Sequence, residues 1–224
     1  MARTTGAARA DEGGTRSLVS LYPPPLAGHG LVLHPWSEAI LARVAEWGAH
    51  GFPYHAFDMT HLRDPARARG VLARMTENGP HRHFVAMEGD VAVGRASVNL
   101  RDEAGLYLWS VHVPPEHEGR GVCRRMLATL MTWLEEEFVG GPDFVLSTNA
   151  FATHAHRAYE ALGFETTETR WHFDREIAEQ LWRVSPDERE PVSKFVRFAN
   201  GRWEVRTHLM RRRRGAAMNV GPAG

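Results

Sequence analysis

Residues 113–124 read Val-Pro-Pro-Glu-His-Glu-Gly-Arg-Gly-Val-Cys-Arg, and this stretch decides the fold that we expect. It follows a predicted strand and precedes a long run of helically spaced apolar residues. The two prolines end the strand, because proline removes a backbone donor from a sheet. Gly119 and Gly121 let the backbone approach a ligand closely, and the helix start offers unpaired N–H groups and the positive end of its dipole. With Arg120 and Arg124 nearby, these features predict a phosphate site.

Two common nucleotide-binding loops do not fit this stretch. A dinucleotide-binding loop needs a third glycine in Gly-x-Gly-x-x-Gly and follows the first strand of a parallel sheet, whereas this loop follows three consecutive predicted strands. A P-loop needs Gly-Lys followed by Ser or Thr, and no such triplet follows Gly121. Neither interpretation holds.

The apolar pattern on both sides of the loop predicts the other elements. Ser37 can cap a first helix, and Asp64-Pro65 can start a second one. Asn200-Gly201 between two apolar runs is typical of a hairpin turn. The predicted elements are a strand at 31–33, helices at 38–48 and 64–76, strands at 84–87, 91–100 and 106–113, a helix from the loop to about 138, a strand at 144–147, a helix at 153–162, a strand at 164–173 and a hairpin over 195–198 and 203–209.

This order of elements, together with two motifs, resembles the GNAT superfamily of acyl-CoA N-acyltransferases over roughly residues 31–210. The segment 113–123 looks like the family's acetyl-CoA pyrophosphate loop, usually Gln/Arg-x-x-Gly-x-Gly/Ala. Asn149, followed by Ala-Tyr-Glu-Ala-Leu-Gly-Phe at 158–164, looks like its second signature. Asn-Gly-Arg-Trp at 200–203 is similar to the terminal hairpin of the ribosomal-protein N-acetyltransferase branch.

Two loop positions depart from the family pattern. Glu118 stands where Gln or Arg is usual and places a carboxylate near the expected phosphates. Cys123 replaces Gly or Ala but is still small, so close backbone approach is retained.

The resemblance implies an α/β (α+β) GNAT fold, a mixed central sheet of about seven strands with helices on both faces, in the order β-α-α-β-β-β-α-β-α-β. We expect a single acetyltransferase domain over 26–210 with an insertion near 174–199. Residues 1–25 are expected to form a mobile N-terminal extension, and 211–224 a basic flexible tail that begins with four arginines.

The resemblance also implies an acetyl-CoA-dependent N-acetyltransferase in which the acceptor amine attacks the thioester directly. Backbone N–H groups near Val111 and Val113 would hold the thioester and stabilise the developing oxyanion. Tyr159 occupies the family's general-acid position and would protonate the departing CoA thiolate. The cofactor-binding residues implied in the same way are Val111, Val113, Gly119, Arg120, Gly121, Val122, Cys123, Arg124, Asn149 and His156.

The acceptor, a primary amine of a small molecule or peptide, is expected against the first helix pair and its aromatic loop. Phe52, Tyr54, Tyr107 and Trp109 are the candidate substrate-binding residues. Their rings favour a partly apolar or ring-bearing amine over a polyamine, which would need several carboxylates.

Strand alternation assigns the residues of strand 106–113 to two faces. The predicted sets are Tyr107, Trp109, Val111 and Val113 on one face, and Ser110 and His112 on the other. Some relatives place a Glu base at the position of Tyr107, so no general base is assigned, and His112 is expected to be packed rather than catalytic.

Composition narrows the function classes. The chain has 224 residues, with Lys+Arg 27 against Asp+Glu 27, and a formal charge of +0 argues against nucleic-acid binding through bulk charge. Its single cysteine excludes an internal disulfide and a multi-cysteine zinc site. The 13 histidines show no convincing ligand spacing, so no metal is expected.

The sequence also leads to expectations about cellular location, assembly and source. No apolar stretch approaches the roughly 20 residues of a membrane span, and the opening segment lacks a signal-peptide pattern. We therefore expect a cytoplasmic protein, a monomer or homodimer, without membrane partners. Lys194 is the only lysine, and this arginine bias favours a GC-rich bacterial genome.

A second interpretation stays open. Glu118 and the missing glutamate base also fit a GNAT-like binding or regulatory module that retains acyl-CoA without turnover.

Overall fold

Nine strands and six α-helices follow one another in the computed structural model, which describes residues 23–77 and 79–221. The strands are β1 Leu26–Gly28, β2 Leu31–Pro35, β3 His81–Glu88, β4 Val91–Asp102, β5 Gly105–His112, β6 Phe144–Asn149, β7 Glu165–His172, β8 Val196–Ala199 and β9 Arg202–Arg212. The helices are α1 Glu38–Val44, α2 Pro65–Met75, α3 Val122–Glu137, α4 Thr153–Ala161, α5 Arg175–Arg183 and α6 Pro186–Arg189. Short 3-10 helices occupy His55–Phe57, Thr60–Arg63, Pro115–His117 and Glu190–Phe195.

The first two helices start at the predicted caps. The Ser37 hydroxyl accepts a hydrogen bond from the Ile40 N–H at 3.3 Å, and the Asp64 carboxylate accepts one from the Ala66 N–H at 2.8 Å. Each side chain satisfies a backbone donor that the helix start leaves unpaired. Helix α1 ends at Val44 rather than near 48.

The sheet has the order β1-β2-β3-β4-β5-β6-β9-β7, with β8 also paired to β9. Neighbouring strands are antiparallel except β5 and β6, which run parallel and pair only from Leu106 with Phe144 to Leu108 with Leu146. The mixed α/β class is therefore confirmed. The sheet has nine strands where about seven were expected; the short β1 was not predicted, whereas β8 corresponds to the first arm of the predicted hairpin.

Helices cover both faces of the sheet. On one face, Met126, Leu127 and Leu130 of α3 pack against Leu106 and Leu108 of β5 in the main core. On the other face, α1 and α2 form a second core with the middle of β3 and the start of β4. Burial of these apolar faces stabilises the arrangement by roughly 25 cal/mol per Å² removed from water.

The predicted insertion at 174–199 forms α5, α6, a 3-10 helix and β8. Ile177 and Leu181 of α5 join Val205 of β9 in a third apolar cluster. This segment thus closes the end of the sheet beside the loop that follows α1, where the acceptor is expected.

The predicted tail boundary needs correction. Arg211 and Arg212 end β9, and the fully buried Arg212 donates to the Leu162 carbonyl at 2.8 Å and pairs with Glu135 at 2.8 Å. Met218 also packs on the main core. Residues 211–221 are therefore held by these contacts. Of the expected N-terminal extension, residues 1–22 lie outside the described part of the chain.

Within the described residues, no helix has both the length and the apolar character needed to cross a membrane.

Candidate active site

A cavity of about 960 Å³ opens where β5 and β6 diverge beyond their three paired residues. The cavity is lined by residues of both strands, of α4 and of the loop after α1. It is also lined by the glycine loop, residues 118–121, which precedes α3. Predicted site residues in its wall are Val111, Val113, Gly119, Gly121, Val122, Cys123, Arg124, Asn149, Tyr159, Tyr54, Tyr107 and Trp109. The structure thus brings together most of the residues singled out in the sequence.

A β-bulge in β5 shapes the centre of this cavity. Arg95 of β4 pairs with His112, and Ser97 pairs with Trp109, so two steps along β4 oppose three along β5. Ser110 takes up the extra residue with a φ of 52°, a left-handed conformation that non-glycine residues seldom adopt.

The bulge overturns the predicted division of β5 into two faces. Val111 and Val113 pack on the main core, as Leu106 and Leu108 do before the bulge. His112 instead contacts the rings of Trp47 and Phe57 on the opposite face. One inserted residue shifts the two-residue period, so the alternation that holds at Tyr107 and Trp109 is reversed afterwards.

The glycine loop presents free backbone donors to the cavity. Gly119 and Gly121 have φ angles of 75° and 71°, and no side chain caps α3 within the described residues. The first helical hydrogen bond runs from the Arg125 N–H to the Gly121 carbonyl at 3.1 Å. The N–H groups of residues 122–124 therefore precede the bonded part of the helix and, with the Arg124 guanidinium, fit an anionic group such as a pyrophosphate.

Arg120 is not in the cavity wall. Its guanidinium donates to Glu88 at 2.6 Å and contacts His117 at 3.0 Å. Glu88 also accepts from the buried Arg125 at 3.1 Å. Desolvation opposes ionisation of Glu88, but the hydrogen bonds and charges of the two arginines outweigh it and lower its pKa. Arg120 thus pairs with a protein carboxylate in this structure.

Tyr159 lies on α4 and is only 5% exposed, and its side chain faces the cavity beside Cys123. Burial, followed by the neighbouring Cys123 and Tyr107, raises the Tyr159 pKa well above its ordinary value. The hydroxyl therefore keeps its proton at neutral pH. Burial likewise raises the Cys123 pKa to about 12, so this thiol is not a reactive thiolate.

Aromatic side chains line the opposite half of the cavity. Tyr54 meets Phe151 edge to face with ring centres 5.7 Å apart, and Phe57 completes this wall. Phe52 lies outside the cavity wall and packs on the third apolar cluster. The rings in this part of the wall are thus those of Tyr54, Phe57 and Phe151, and Phe52 is not one of them.

Two cavity residues were missed as site residues, the buried histidines His50 and His112. Their Nε2 atoms are 3.3 Å apart. Burial, then the charges of Arg95 and His50, lower the His112 pKa to about 2. Burial also lowers the pKa of His50, against carboxylates that act in the other direction. Strand alternation predicted the wrong face for His112, because no pattern in the local sequence indicates the bulge at Ser110.

His156 lies away from the cavity. Its Nε2 contacts the Thr166 hydroxyl at 3.2 Å, and its ring lies 5.0 Å from that of His208. These partners belong to the β7 and β9 edge of the sheet.

In the part of the chain that the structure describes, no group of three or more His, Cys, Asp or Glu side chains is placed to hold a metal ion.

Comparison with known proteins adds independent findings. The family model "Acetyltransferase (GNAT) family" matches residues 41–164. Aminoglycoside N(6')-acetyltransferase type 1 of Salmonella typhimurium is 28% identical over 93 residues, 38% of this chain and 63% of that protein. The chain thus spans less than two thirds of that relative's length. The N-alpha-acetyltransferase RimI of Mycobacterium tuberculosis is 27% identical over 116 residues, 50% of this chain and 70% of that protein.

A solved structure shows the same fold. Spermidine N-acetyltransferase from Vibrio cholerae, in complex with CoA and spermine, superposes with a TM-score of 0.53 at 13% identity, covering 83% of this chain and 96% of that one. At this identity the likeness concerns the fold alone.

Proposed function

Since the chain belongs to the GNAT acetyltransferase family, we propose that it transfers an acetyl group from acetyl-CoA to a primary amine of a small molecule or peptide. The observation that supports this most is one continuous cavity. It joins the uncapped start of α3 to an aromatic pocket through the gap between β5 and β6. A donor and an acceptor can therefore meet at β5 from opposite sides of the sheet.

The donor side has the groups that acetyl-CoA requires. When bound, acetyl-CoA supplies an activated acetyl thioester, anchored by its pyrophosphate. The N–H groups of residues 122–124 and the Arg124 guanidinium would hold the phosphates. Beyond Leu108, β5 no longer pairs with β6, so backbone N–H groups near Val111 are available to the thioester oxygen. Such donors, fixed before the reaction, stabilise negative charge as it develops.

Tyr159 would supply the proton for the leaving thiolate. Its hydroxyl stays protonated at neutral pH, and its neighbour Cys123 lies in the first turn of α3, where the phosphates would bind. A positioned acid of this kind contributes typically 10²–10⁴-fold to rate.

The acceptor half indicates the class of amine. Tyr54, Phe57, Trp109 and Phe151 supply apolar ring surface, and Asp174 adds a carboxylate to the wall. Relatives and neighbours are named for an aminoglycoside, a protein N-terminus and spermidine. The ring surface favours an amine with an apolar or ring-bearing body, such as a peptide N-terminus or an arylalkylamine, over a polyamine.

The direct experiment measures thiol release from acetyl-CoA across an amine panel containing a dipeptide series, arylalkylamines, an aminoglycoside and spermidine. We expect the highest kcat/KM for a ring-bearing amine or a peptide with an aromatic first residue. Tyr54→Ala should raise KM for that acceptor and leave CoA affinity unchanged, because Tyr54 lies on the acceptor side. CoA binding without thiol release to any amine would refute the proposal and favour a non-catalytic acyl-CoA-binding module.

A further inference from the structure

His50 and His112 form a buried pair on the acceptor side of the cavity. They are 6% and 5% exposed, and their Nε2 atoms contact each other at 3.3 Å. Phe57 stacks on the His112 ring with centres 5.7 Å apart, and Trp47 contacts it at 5.2 Å. Two aromatic rings thus pack against the His112 imidazole and hold its orientation.

The pair can accept one proton. When both rings are neutral, one Nε2 donates its hydrogen to the other, and each ring has one remaining nitrogen. The donor ring then has a free lone pair on its second nitrogen. No other described residue hydrogen-bonds either ring, so this lone pair is available. A proton taken there can pass through the shared contact to the second ring.

The surrounding charges favour the excess proton on His50. Arg95 of β4 pairs with His112 in the sheet and is 8% exposed; its Nε has no hydrogen-bond partner within the described residues, and Glu176 is the carboxylate whose charge acts on it. Its positive charge disfavours a second cation on His112. The ionisable groups around His50 are Asp58 and His55 of the loop after α1, Glu116 and Glu118 of the loop before α3, and Tyr54. Burial is the largest effect and lowers the His50 pKa, as does His55, so the ring is neutral at neutral pH; the three carboxylates act in the other direction and favour His50 over His112 as the site of the excess proton.

The position of the pair relative to Tyr159 matches the two proton transfers of the reaction. His112 projects from β5 toward the acceptor loop, whereas Tyr159 lies on α4 with the main core on the opposite side of the sheet. A proton leaves the amine on the acceptor side, and a proton reaches the sulfur on the donor side. The two groups are separated by the strand that would hold the thioester.

Building on the proposed function, we infer that the His50–His112 pair is the general base of the reaction and takes the proton that the acceptor amine loses. The nitrogen–carbon bond to the acetyl group forms, and the carbon–sulfur bond breaks. The proton from nitrogen goes to the imidazole pair, and the thiolate takes the Tyr159 hydroxyl proton. Exchange with solvent then returns the proton from the pair and reprotonates the tyrosine, so no other reactant is needed.

The test compares His50→Phe, His112→Phe and the double variant with wild type in single-turnover thiol release. Small amines of graded basicity, from ethylamine to methoxyamine, serve as acceptors. Phenylalanine keeps a ring of similar size, and circular dichroism, thermal unfolding and CoA binding verify folding. His83→Phe is the matched control: His83 is equally buried but lies outside the cavity wall and bonds Ser97 at 2.8 Å.

We expect each single variant to lose roughly 10²–10⁴-fold in rate with ethylamine, the usual contribution of a positioned base. The loss should fall below about tenfold with methoxyamine, because a weakly basic amine gives up its proton without help. The double variant should be no slower than the worse single variant, since the two rings act as one unit. Exogenous imidazole should partly restore His50→Ala, which leaves space for it.

The outcomes separate the two proposals. Equal losses with both amines, or equal losses in the His83 control, would assign the pair a structural role and overturn the inference while thiol release by wild type upholds the proposed function. A wild-type protein that binds CoA and releases no thiol either to these amines or to any amine of the panel under the proposed function overturns both.

Discussion

Replacing Tyr159 with phenylalanine tests the donor side of the proposed mechanism most directly. The side chain is 5% exposed, and its ring meets Phe164 edge to face with centres 6.2 Å apart. Phenylalanine keeps that contact and removes only the hydroxyl, which has no hydrogen-bond partner among the described residues. Unfolding free energy should therefore change by less than about 1 kcal/mol.

The rate should respond far more strongly than stability. Loss of a positioned acid costs roughly 10²–10⁴-fold, equivalent to about 2.7–5.4 kcal/mol in barrier height. Single-turnover thiol release under saturating acceptor is the appropriate assay, because slow product release would hide the effect in steady-state turnover. CoA affinity should stay near the wild-type value.

Comparing thioesters whose thiols differ in acidity distinguishes the loss of a general acid from other defects. The defect should shrink with an acetyl-CoA analogue whose thiol is more acidic, because that thiolate needs less protonation. Tyr107→Phe removes another cavity hydroxyl and should leave the dependence on thiol acidity as in wild type. A full wild-type rate in Tyr159→Phe, or a defect that is the same for both thiols, would show that the acid lies elsewhere.

Three further predictions concern the glycine loop and the sheet. Arg124→Ala should raise the Kd for CoA by about tenfold or more and leave the Kd for dephosphorylated pantetheine unchanged. Arg120→Ala should raise the Kd for CoA much less, because the Arg120 guanidinium donates to Glu88. Glu118→Gln should tighten CoA binding by roughly two- to fivefold, because it removes an exposed negative charge near the expected phosphates at the start of α3. An unchanged Kd in calorimetry would show that the carboxylate faces solvent. Gly105→Ala should lower the free energy of unfolding, measured in urea, by at least about 2 kcal/mol. The φ of Gly105 is 144°, and an added Cβ would lie 2.4 Å from the Asp143 carbonyl oxygen. Gly89→Ala, where an added Cβ meets open space, should lower it by only about 1 kcal/mol.

Local signals in the sequence predicted most of the fold. Ser37 and Asp64 accept the expected cap hydrogen bonds, and Asn200-Gly201 forms the expected turn between β8 and β9. The α3 start also lies within the quoted stretch, at Val122. These features depend on contacts within a few residues, so their pattern is present in the local sequence.

The failures arise where distant residues decide the outcome. Arg120 seemed free for a phosphate, but Glu88, which is remote in sequence, binds it. The arginine run at 211 has the composition of a solvated tail, yet Arg211 lies between β6 and β7, and Arg212 pairs with β6 and is neutralised by Glu135. Charge and spacing along the chain do not reveal such partners, because pairing across the sheet and onto α3 brings them together.

The bulge at Ser110, which the sequence pattern did not predict, determines which side chains of β5 face each half of the cavity. If Ser110 were paired regularly rather than bulged, Val111 and Val113 would face the acceptor loop, and His112 would lie on the sheet face that α3 covers. With the bulge, the valines remain on the donor side of the sheet, and His112 reaches His50 on the acceptor side. The same bulge interrupts regular pairing of β5 with β4 at the point where β5 has already separated from β6. The bulge therefore accounts for the placement of an imidazole pair opposite Tyr159. This placement allows β5 to separate the two proton transfers that acetyl transfer to an amine requires.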